Sequence, residues 1–250
     1  MKKQKNTFNW GNSSPDYIKC VGEEIFDLNN YEKIFPVQKG DVVVDIGASI
    51  GAFTWSIMDR ASKVYAFEPM IESRELLKTN TEGWPVEVVG KALNHITGEC
   101  RFPFWDMSTE GPCEGNLSEE RKEEIIEKGV TIECTTFMDF VKNHNIDKID
   151  FIKTDCEGGE YKLFKDENID FLLNNVRNIC GEFHLFPNRP PYNSKNDWCK
   201  MEFRYIRDKY FKLFKKVEAR SVDNVDITWD LYNDHFIEYY DMVYLYFSND

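Results

Sequence analysis

The sequence lacks several features that would place the protein outside the cytoplasm. No apolar run approaches the length of a membrane span. The basic first residues are not followed by an apolar segment, so they do not predict a secretory signal peptide. Its seven cysteines are scattered, odd in number and without a Cys-x-x-Cys pair. We therefore expect a cytoplasmic protein with reduced thiols and no membrane span.

Positive charge is also scarce. Asp and Glu number 44 against 31 Lys and Arg, which gives a formal net charge of −13 at pH 7. A surface this acidic repels phosphate backbones, so nucleic acid is not an expected partner. The basic stretch at 204–216 alternates with aromatic residues, and we interpret it as the solvated face of an amphipathic helix.

The 250 residues suffice for one large domain with a full hydrophobic core. Residues 1–36 have weak periodicity and predict an N-terminal extension or cap with one or two helices. Residues 37–250 predict a single catalytic domain in which apolar strands alternate with helices, interrupted by an inserted segment at about 91–136. The predicted main strands are 41–46, 63–67, 86–89, 149–153, 178–183 and 242–247, and the predicted helices are 52–60, 70–80, 138–143, 160–173 and 197–210.

Such alternation predicts an α/β fold with a mostly parallel sheet covered by helices on both faces. Ligands of these folds bind beyond the carboxyl ends of the strands, near the point where the strand order reverses. The residues that follow each predicted strand are therefore the first candidates for a functional site.

A glycine loop follows the first predicted strand. Its pattern is Asp45-x-Gly47-x-x-x-Gly51, which lacks the Gly-x-Gly-x-x-Gly spacing of a pyrophosphate-binding dinucleotide site. An acid at the strand end suits a ligand that carries an ammonium group, to which Asp45 can lie close directly or through water. Gly47 allows the backbone to approach that ligand closely.

A second acid, Glu68, ends the second predicted strand 23 positions after Asp45. An acid at this point of such a sheet can accept both ribose hydroxyls of an adenosine. Together with the glycine loop it predicts S-adenosylmethionine as the cofactor. The alternative is that the glycines only make a tight turn and that Glu68 is a solvated strand end.

Five segments resemble the FkbM-type methyltransferases in order and spacing: Val44–Ala48, Ala66–Pro69, Ala92-Leu93, Ile149–Glu160 and Gly181–His184. The resemblance implies a class I, Rossmann-like fold with a seven-stranded sheet and an insertion after the third strand. It also implies methylation of a hydroxyl on a sugar or natural product. The sequence departs from the family at Ser49, where Asn is more usual. The cofactor-binding residues that we expect are Asp45, Gly47, Ala48, Ser49, Gly51, Glu68, Pro69, Ala92 and Asp155.

A second group of polar residues follows the strand predicted at 149–153. Alternation places Lys153, Asp155 and Glu157 on one side if the extended run continues. Glu182 and His184 end the next strand. We predict His184 as the general base, because its ordinary pKa of about 6.5 leaves it neutral, with Asp155 as second choice or as the residue that orients His184.

Other roles in this group stay open. Lys153 either pairs with a neighbouring acid or contacts substrate, and Glu160 is interpreted as a helix cap. Asp155, Glu182 and His184 can also offer ligands to a divalent metal, but no metal-type spacing is visible and we do not expect a required ion. The expected acceptor contacts are Glu157, Asn188, Arg189, Tyr192 and Trp105.

The main hypothesis is thus an O-methyltransferase that acts on a small molecule or glycan, such as a nucleotide-linked sugar. A natural-product acceptor is an alternative, and the oligomeric state stays open, with a homodimer as one option. A nucleic-acid methyltransferase is disfavoured by the charge and by the lack of an Asn/Asp-Pro-Pro-Tyr/Phe motif. A nicotinamide oxidoreductase would need the missing glycine spacing. A non-catalytic module is disfavoured because Asp45, Glu68, Asp155 and His184 are all retained.

Overall fold

The computed structural model describes residues 7–102, 104–105, 108–109, 129–185 and 198–250. In chain order, the strands β1 to β12 are Val42–Ile46, Lys63–Phe67, Val86–Val89, Ala92–Leu93, Gly98–Phe102, Phe104–Trp105, Ser108–Thr109, Val130–Thr135, Ile149–Thr154, Val176–His184, Lys216–Arg220 and Met242–Ser248. The α-helices α1 to α7 are Pro15–Gly22, Ala52–Ile57, Ile71–Asn80, Phe137–Asn143, Asp166–Asn175, Trp198–Tyr210 and Phe236–Tyr239. None of the helices in these described ranges has the length and apolar character needed to cross a bilayer.

Seven strands form the central sheet in the order β11-β12-β10-β9-β1-β2-β3. The five strands from β10 to β3 are parallel, whereas β12 runs antiparallel to both β10 and β11. The chain moves outward from β1 to β3 and then returns to place β9 on the other side of β1. The strand order therefore reverses between β1 and β9. This topology confirms the predicted class I methyltransferase fold.

The strands nearest the centre are buried on both faces of the sheet, which is why they are continuous apolar runs. Val43 and Val44 are both fully buried but point to opposite faces. Val44 belongs to the larger core, and Val43 belongs to a second core that contains Phe53. The second core also includes Phe8, Ile25 and Tyr31, so the N-terminal extension helps to cover this face.

An ion pair links the N-terminal segment, residues 7–36 of the described chain, to the residues that follow α2. Glu32 ends a 3₁₀ turn at Asn30–Glu32 and accepts two hydrogen bonds from Arg60, each 2.8 Å long. The backbone N–H of Val37 donates to the same carboxylate. Because two parallel hydrogen bonds join the side chains, the pair fixes the orientation of Glu32 relative to Arg60 as well as the distance between them. The ion pair follows a π-helical segment at Glu23–Asp27, and Glu23 and Glu24 of that segment line the cleft described below.

Two elements differ from the sequence prediction. The helix predicted at 160–173 is a 3₁₀ turn at Glu160–Lys162 followed by α5, because Lys165 is extended and the Asn168 side chain donates to the carbonyls of Lys162 and Leu163. β11 was not predicted, because as an edge strand it carries alternating charged residues. The inserted segment, in contrast, has strands at Ala92–Leu93, Gly98–Phe102 and Val130–Thr135, close to the strands that its pattern predicts at 92–93, 101–104 and 130–136. It forms a three-stranded sheet, β4-β8-β5, and a β6–β7 hairpin.

Candidate active site

A cleft of about 820 Å³ opens beyond the carboxyl ends of β1, β2, β9 and β10. This volume lies in the range of about 300–1,000 Å³ that is typical of small-molecule sites. One wall is the sheet edge, with Gly47, Glu68 and Asp155. The N-terminal extension supplies the opposite wall, which includes Ser14, Tyr17, Cys20, Glu24 and Asn30.

Gly47 is required by the way two strand ends meet. Its φ is +81°, and a Cβ at this position would lie 1.8 Å from the carbonyl oxygen of Asp155. The backbone N–H of Asp155 in turn donates to the carbonyl of Ile46 at 3.0 Å. No side chain fits between these backbones, so Gly47 lets the end of β9 pack directly on the glycine loop. The sequence predicted ligand approach or a tight turn at Gly47, and this close packing of two strand ends was not predicted.

Ser49 lies in the left-handed region with a φ of +48°, where Asn is better tolerated than Ser. Two contacts stabilise it there. Its N–H donates to Oε2 of Glu68 at 2.9 Å, and its hydroxyl hydrogen-bonds the Tyr17 hydroxyl at 2.9 Å. The departure from the usual family residue is thus accompanied by a contact from the extension.

Glu68 lies on the cleft wall and is only 7% exposed. Its other oxygen, Oε1, accepts from the N–H of Met70 at 2.7 Å. Burial raises the pKa of Glu68 to about 7, although its bonds from Met70 and Ser49 act in the opposite direction. Each carboxylate oxygen keeps a second lone pair, so the residue can still accept ribose hydroxyls. Pro69 and Ala92 line the same part of the cleft.

Asp45 lies beneath the loop rather than on the cleft wall. It is fully buried, accepts from the hydroxyl of Thr54 at 2.6 Å, and lies 3.4 Å from Nζ of Lys153. Nζ of Lys153 also donates to the carbonyl of Gly47 at 2.8 Å and lies 3.5 Å from Asp155. The structure therefore pairs Lys153 with acids and the loop, and it places Asp45 where it positions Lys153.

The charge of Lys153 is stabilised by its neighbours. Burial lowers the pKa of this amine, but Asp155 and Asp45 raise it by more, so the net shift is upward. Lys153 remains an ammonium at cellular pH. It lines a small void under the loop together with Ala48, and it ties β1 to β9.

Three carboxylates converge at the other end of the cleft. The Tyr31 hydroxyl donates to Asp155 at 2.7 Å, and the Tyr244 hydroxyl lies 2.8 Å from Glu182 and 2.9 Å from Glu24. Burial raises the pKa of Glu24 to about 8, with further contributions from Glu182 and Asp155. Sequence reasoning missed Glu24, Tyr31 and Tyr244, and no local motif marks any of them.

His184 lies between carboxylates on both sides of its ring and is 5% exposed. Nδ1 lies 3.1 Å from Glu160, and Nε2 lies 3.2 Å from Glu182 and 3.6 Å from Glu157. Burial lowers the pKa of His184, but Glu160 and Glu182 raise it by more, and the result is well above 6.5. The carboxylates at its two nitrogens therefore favour the imidazolium form, whereas we expected a neutral base.

The chain turns directly after Asp155. β9 ends at Thr154, and Glu157 has a φ of +55°, so the extended run that would have aligned Lys153, Asp155 and Glu157 does not continue. Oε1 of Glu160 accepts from the N–H groups of Cys156 and Gly158, so this side chain holds the turn before the 3₁₀ segment and does not cap a helix as we expected. Glu157 lines the cleft with a side chain that is 45% exposed.

The remaining predicted acceptor contacts cannot be placed. Asn188, Arg189 and Tyr192 lie outside the described residues. Trp105 lies in β6, but its side chain is also outside the description.

Two groups within the described part of the chain have the geometry to hold a metal ion. One is Asp155, Glu160 and His184, and the other is Glu24, Asp155 and Glu182. The predicted ligands Asp155, Glu182 and His184 are thus divided between the two groups.

Comparison with known proteins identifies the family. Residues 45–226, more than half of the chain, match the methyltransferase FkbM domain. No curated protein matches the sequence.

Solved structures with a similar fold share little sequence with this chain. An rRNA methylase from Streptococcus thermophilus is 9% identical over 95% of this chain and 98% of that chain, with a TM-score of 0.46. A Streptococcus mutans protein in complex with SAH is 7% identical over 95% and 99%, with a TM-score of 0.46. Aeropyrum pernix fibrillarin with natively bound S-adenosyl-L-methionine is 13% identical over 88% and 71%, with a TM-score of 0.44.

The matched range includes the glycine loop, Glu68 and the carboxyl ends of β9 and β10. The buried carboxylate of Glu68 and the close-packed loop at Gly47 both line the cleft of about 820 Å³. The chain therefore belongs to the FkbM methyltransferase family, and its cofactor is S-adenosylmethionine.

Proposed function

We propose that this enzyme methylates a hydroxyl group of a sugar, in a nucleotide-linked sugar, a glycan or a related small molecule. The observation that carries the proposal is the convergence of Asp155, Glu182 and Glu24 on the wall of the cleft that Glu68 also lines. Carboxylates accept hydrogen bonds from hydroxyl groups, and one of them can take the proton that a hydroxyl must lose.

The cofactor supplies an already activated methyl group on a sulfonium. The protein must therefore mainly align the acceptor and remove a proton. Glu68 and the loop at Gly47 orient the nucleoside end, and Lys153 holds that loop against β9. The walls from the extension and from β10 enclose the acceptor.

Asp155 is the stronger candidate for the base. Its side chain is 24% exposed and lies on the cleft wall, and the Tyr31 hydroxyl fixes one of its oxygens. His184 is not one of the described residues that line this wall. Its two nitrogens face carboxylates, so it acts as a positioning residue that orients Glu182. A positioned base typically contributes about 10²–10⁴ in rate.

The charge of the cleft also favours an uncharged sugar hydroxyl over the polyanionic backbone of a nucleic acid at the carboxylate group. Glu24, Asp155, Glu157 and Glu182 face the space that a phosphate backbone would have to enter. A natural-product hydroxyl satisfies the same requirements as a sugar hydroxyl. The cytoplasmic location that we propose is supported by six described cysteines that are all free thiols.

The test uses S-adenosylmethionine with an isotope-labelled methyl group and a pool of nucleotide sugars and oligosaccharides. Mass spectrometry should find one labelled methyl group on an oxygen of a sugar, and Asp155→Asn should greatly reduce the label. Label found on nitrogen or carbon, or only on added RNA, would contradict the proposal.

A further inference from the structure

We propose that Glu24, Asp155 and Glu182 bind one divalent metal ion, with the amide oxygen of Asn30 as a further ligand. The three carboxylates come from three separate elements: the π-helical segment of the extension, the end of β9, and β10. Each offers one oxygen, and the three oxygens lie within 4.8 Å of one another.

The separation of these oxygens suits a hard divalent cation. Two ligands of one ion cannot be farther apart than twice the metal–oxygen distance, which is about 4.6–5.2 Å for Ca²⁺ and about 4.0–4.2 Å for Mg²⁺. A set of ligands made only of oxygen favours Mg²⁺, Ca²⁺ or Mn²⁺ over Zn²⁺. The site therefore needs little rearrangement to close around such an ion.

A buried amide without a partner provides an independent indication of a ligand. Asn30 is 2% exposed, and its Oδ1 makes no hydrogen bond to the described part of the chain. Its side chain interacts with the hydroxyl of Tyr244, the group that lies between Glu24 and Glu182, and it lines the same cleft. Buried polar oxygens are normally satisfied, so an unpartnered one beside three carboxylates points to a bound cation.

The local charge balance also calls for a cation. Lys153 already faces two carboxylates, Asp45 and Asp155. His184 likewise faces Glu160 and Glu182. Within the described ranges, Glu24 forms no ion pair. The two hydroxyl protons of Tyr31 and Tyr244 are shared among three carboxylates, those of Glu24, Asp155 and Glu182.

The alternative group of Asp155, Glu160 and His184 is less suited to a metal. His184 has a carboxylate against each nitrogen, and Oε1 of Glu160 already accepts two backbone N–H groups.

An ion at Glu24 would lie on the acceptor side of the cleft, where it can bind an acceptor oxygen and lower its pKa. That role depends on the proposed function, whereas binding of the ion does not.

The test is a titration of the full chain, stripped with a chelator, with Mn²⁺ in the absence of cofactor. Free Mn²⁺ is followed by electron paramagnetic resonance. We expect one ion per chain, displaced by excess Mg²⁺ or Ca²⁺. Glu24→Gln and Glu182→Gln should each weaken Mn²⁺ binding at least tenfold. The matched control Glu82→Gln removes an exposed acid outside the cleft and should leave binding unchanged.

Absence of Mn²⁺ binding by the unmodified chain, or equal binding by Glu24→Gln and Glu82→Gln, would overturn the proposal. Circular dichroism and binding of S-adenosylhomocysteine show whether each variant is folded. If a variant does not fold, the unmodified chain still decides the matter, because its melting temperature must rise with Ca²⁺ and not with K⁺ at equal ionic strength. Methyl transfer without Mn²⁺ binding would refute the metal site and leave the proposed reaction intact.

Discussion

The cofactor end and the acceptor end of the cleft differ in how widely their residues are spread along the sequence. The cofactor end is built by Gly47, Ser49 and Glu68, which lie within one β-α-β step. The acceptor end combines Glu24 with Asp155 and Glu182, and the hydroxyl that joins two of them comes from the last strand. The cofactor end can therefore be predicted from a short stretch of sequence. The residues of the acceptor end come together only when the sheet has formed.

The two ends also differ in charge and in how it is balanced. At the cofactor end a single acid, Glu68, is bonded to two backbone N–H groups. At the acceptor end several carboxylates compete for Lys153, His184 and two tyrosine hydroxyls. If the proposed roles hold, cofactor binding depends on backbone geometry at Gly47, Ser49 and Glu68, and the chemistry at the acceptor depends on contacts between distant parts of the chain.

The largest expected effect is a loss of turnover, and its size in two variants shows whether Asp155 or His184 is the base. Asp155→Asn should lower turnover by about 10²–10⁴ and leave affinity for S-adenosylhomocysteine near normal, because only the base is lost. His184→Gln should lower turnover by less, since it acts through Glu182. Asp170→Asn, an exposed acid on α5, is the matched control. A larger loss from His184→Gln than from Asp155→Asn would restore the histidine as base.

The second prediction tests the close packing at the cofactor end. Gly47→Ala should weaken S-adenosylhomocysteine binding at least about a hundredfold, or about 2.7 kcal/mol, because Cβ would overlap the Asp155 carbonyl. Gly83→Ala is the control: its φ is +79°, but nothing lies within 4 Å of its Cβ. That variant should cost only about 1–2 kcal/mol of stability. Equal calorimetric affinities of the two variants for S-adenosylhomocysteine would show that the overlap with the Asp155 carbonyl does not control binding.

The third prediction concerns the pH dependence of cofactor binding. Glu68 has a pKa of about 7, and the ionised form is the one that accepts both ribose hydroxyls. Below that pKa, protonation of the Glu68 carboxylate competes with binding of the ribose. Affinity for S-adenosylhomocysteine should therefore rise about tenfold from pH 6 to pH 8. Glu68→Gln should bind more weakly and show a flat profile in calorimetric titrations. A tenfold rise that persists in this variant would assign the titration to another group.

The smallest expected effect tests the contact between the extension and the loop. Tyr17→Phe removes the hydrogen bond to Ser49 and should weaken S-adenosylhomocysteine binding about two- to tenfold, the usual worth of one such bond. Tyr239→Phe, a 76% exposed tyrosine, should have no effect. If both variants bind equally well, the extension does not organise the cofactor loop.

Much of the fold could be predicted from the sequence because the central strands are short β-branched runs. The strands at Lys63–Phe67 and Val86–Val89 have the predicted bounds. The edge strand Lys216–Arg220 could not be predicted, since its alternating charges resemble a helix face. The break before α5 was also missed, because it depends on the backbone at Lys165 and on side-chain bonds from Asn168.

The sequence by itself determined the cofactor end, because a glycine loop and a strand-end acid act through local backbone conformation. Only the tertiary structure decided the upward shift of the pKa of His184, since that shift depends on Glu160 and Glu182 packed around the ring. It also decided the carboxylate group that includes Glu24. Distances and pKa values are set by neighbours in space, and for Glu24 one of these neighbours, Tyr244, comes from the opposite end of the chain.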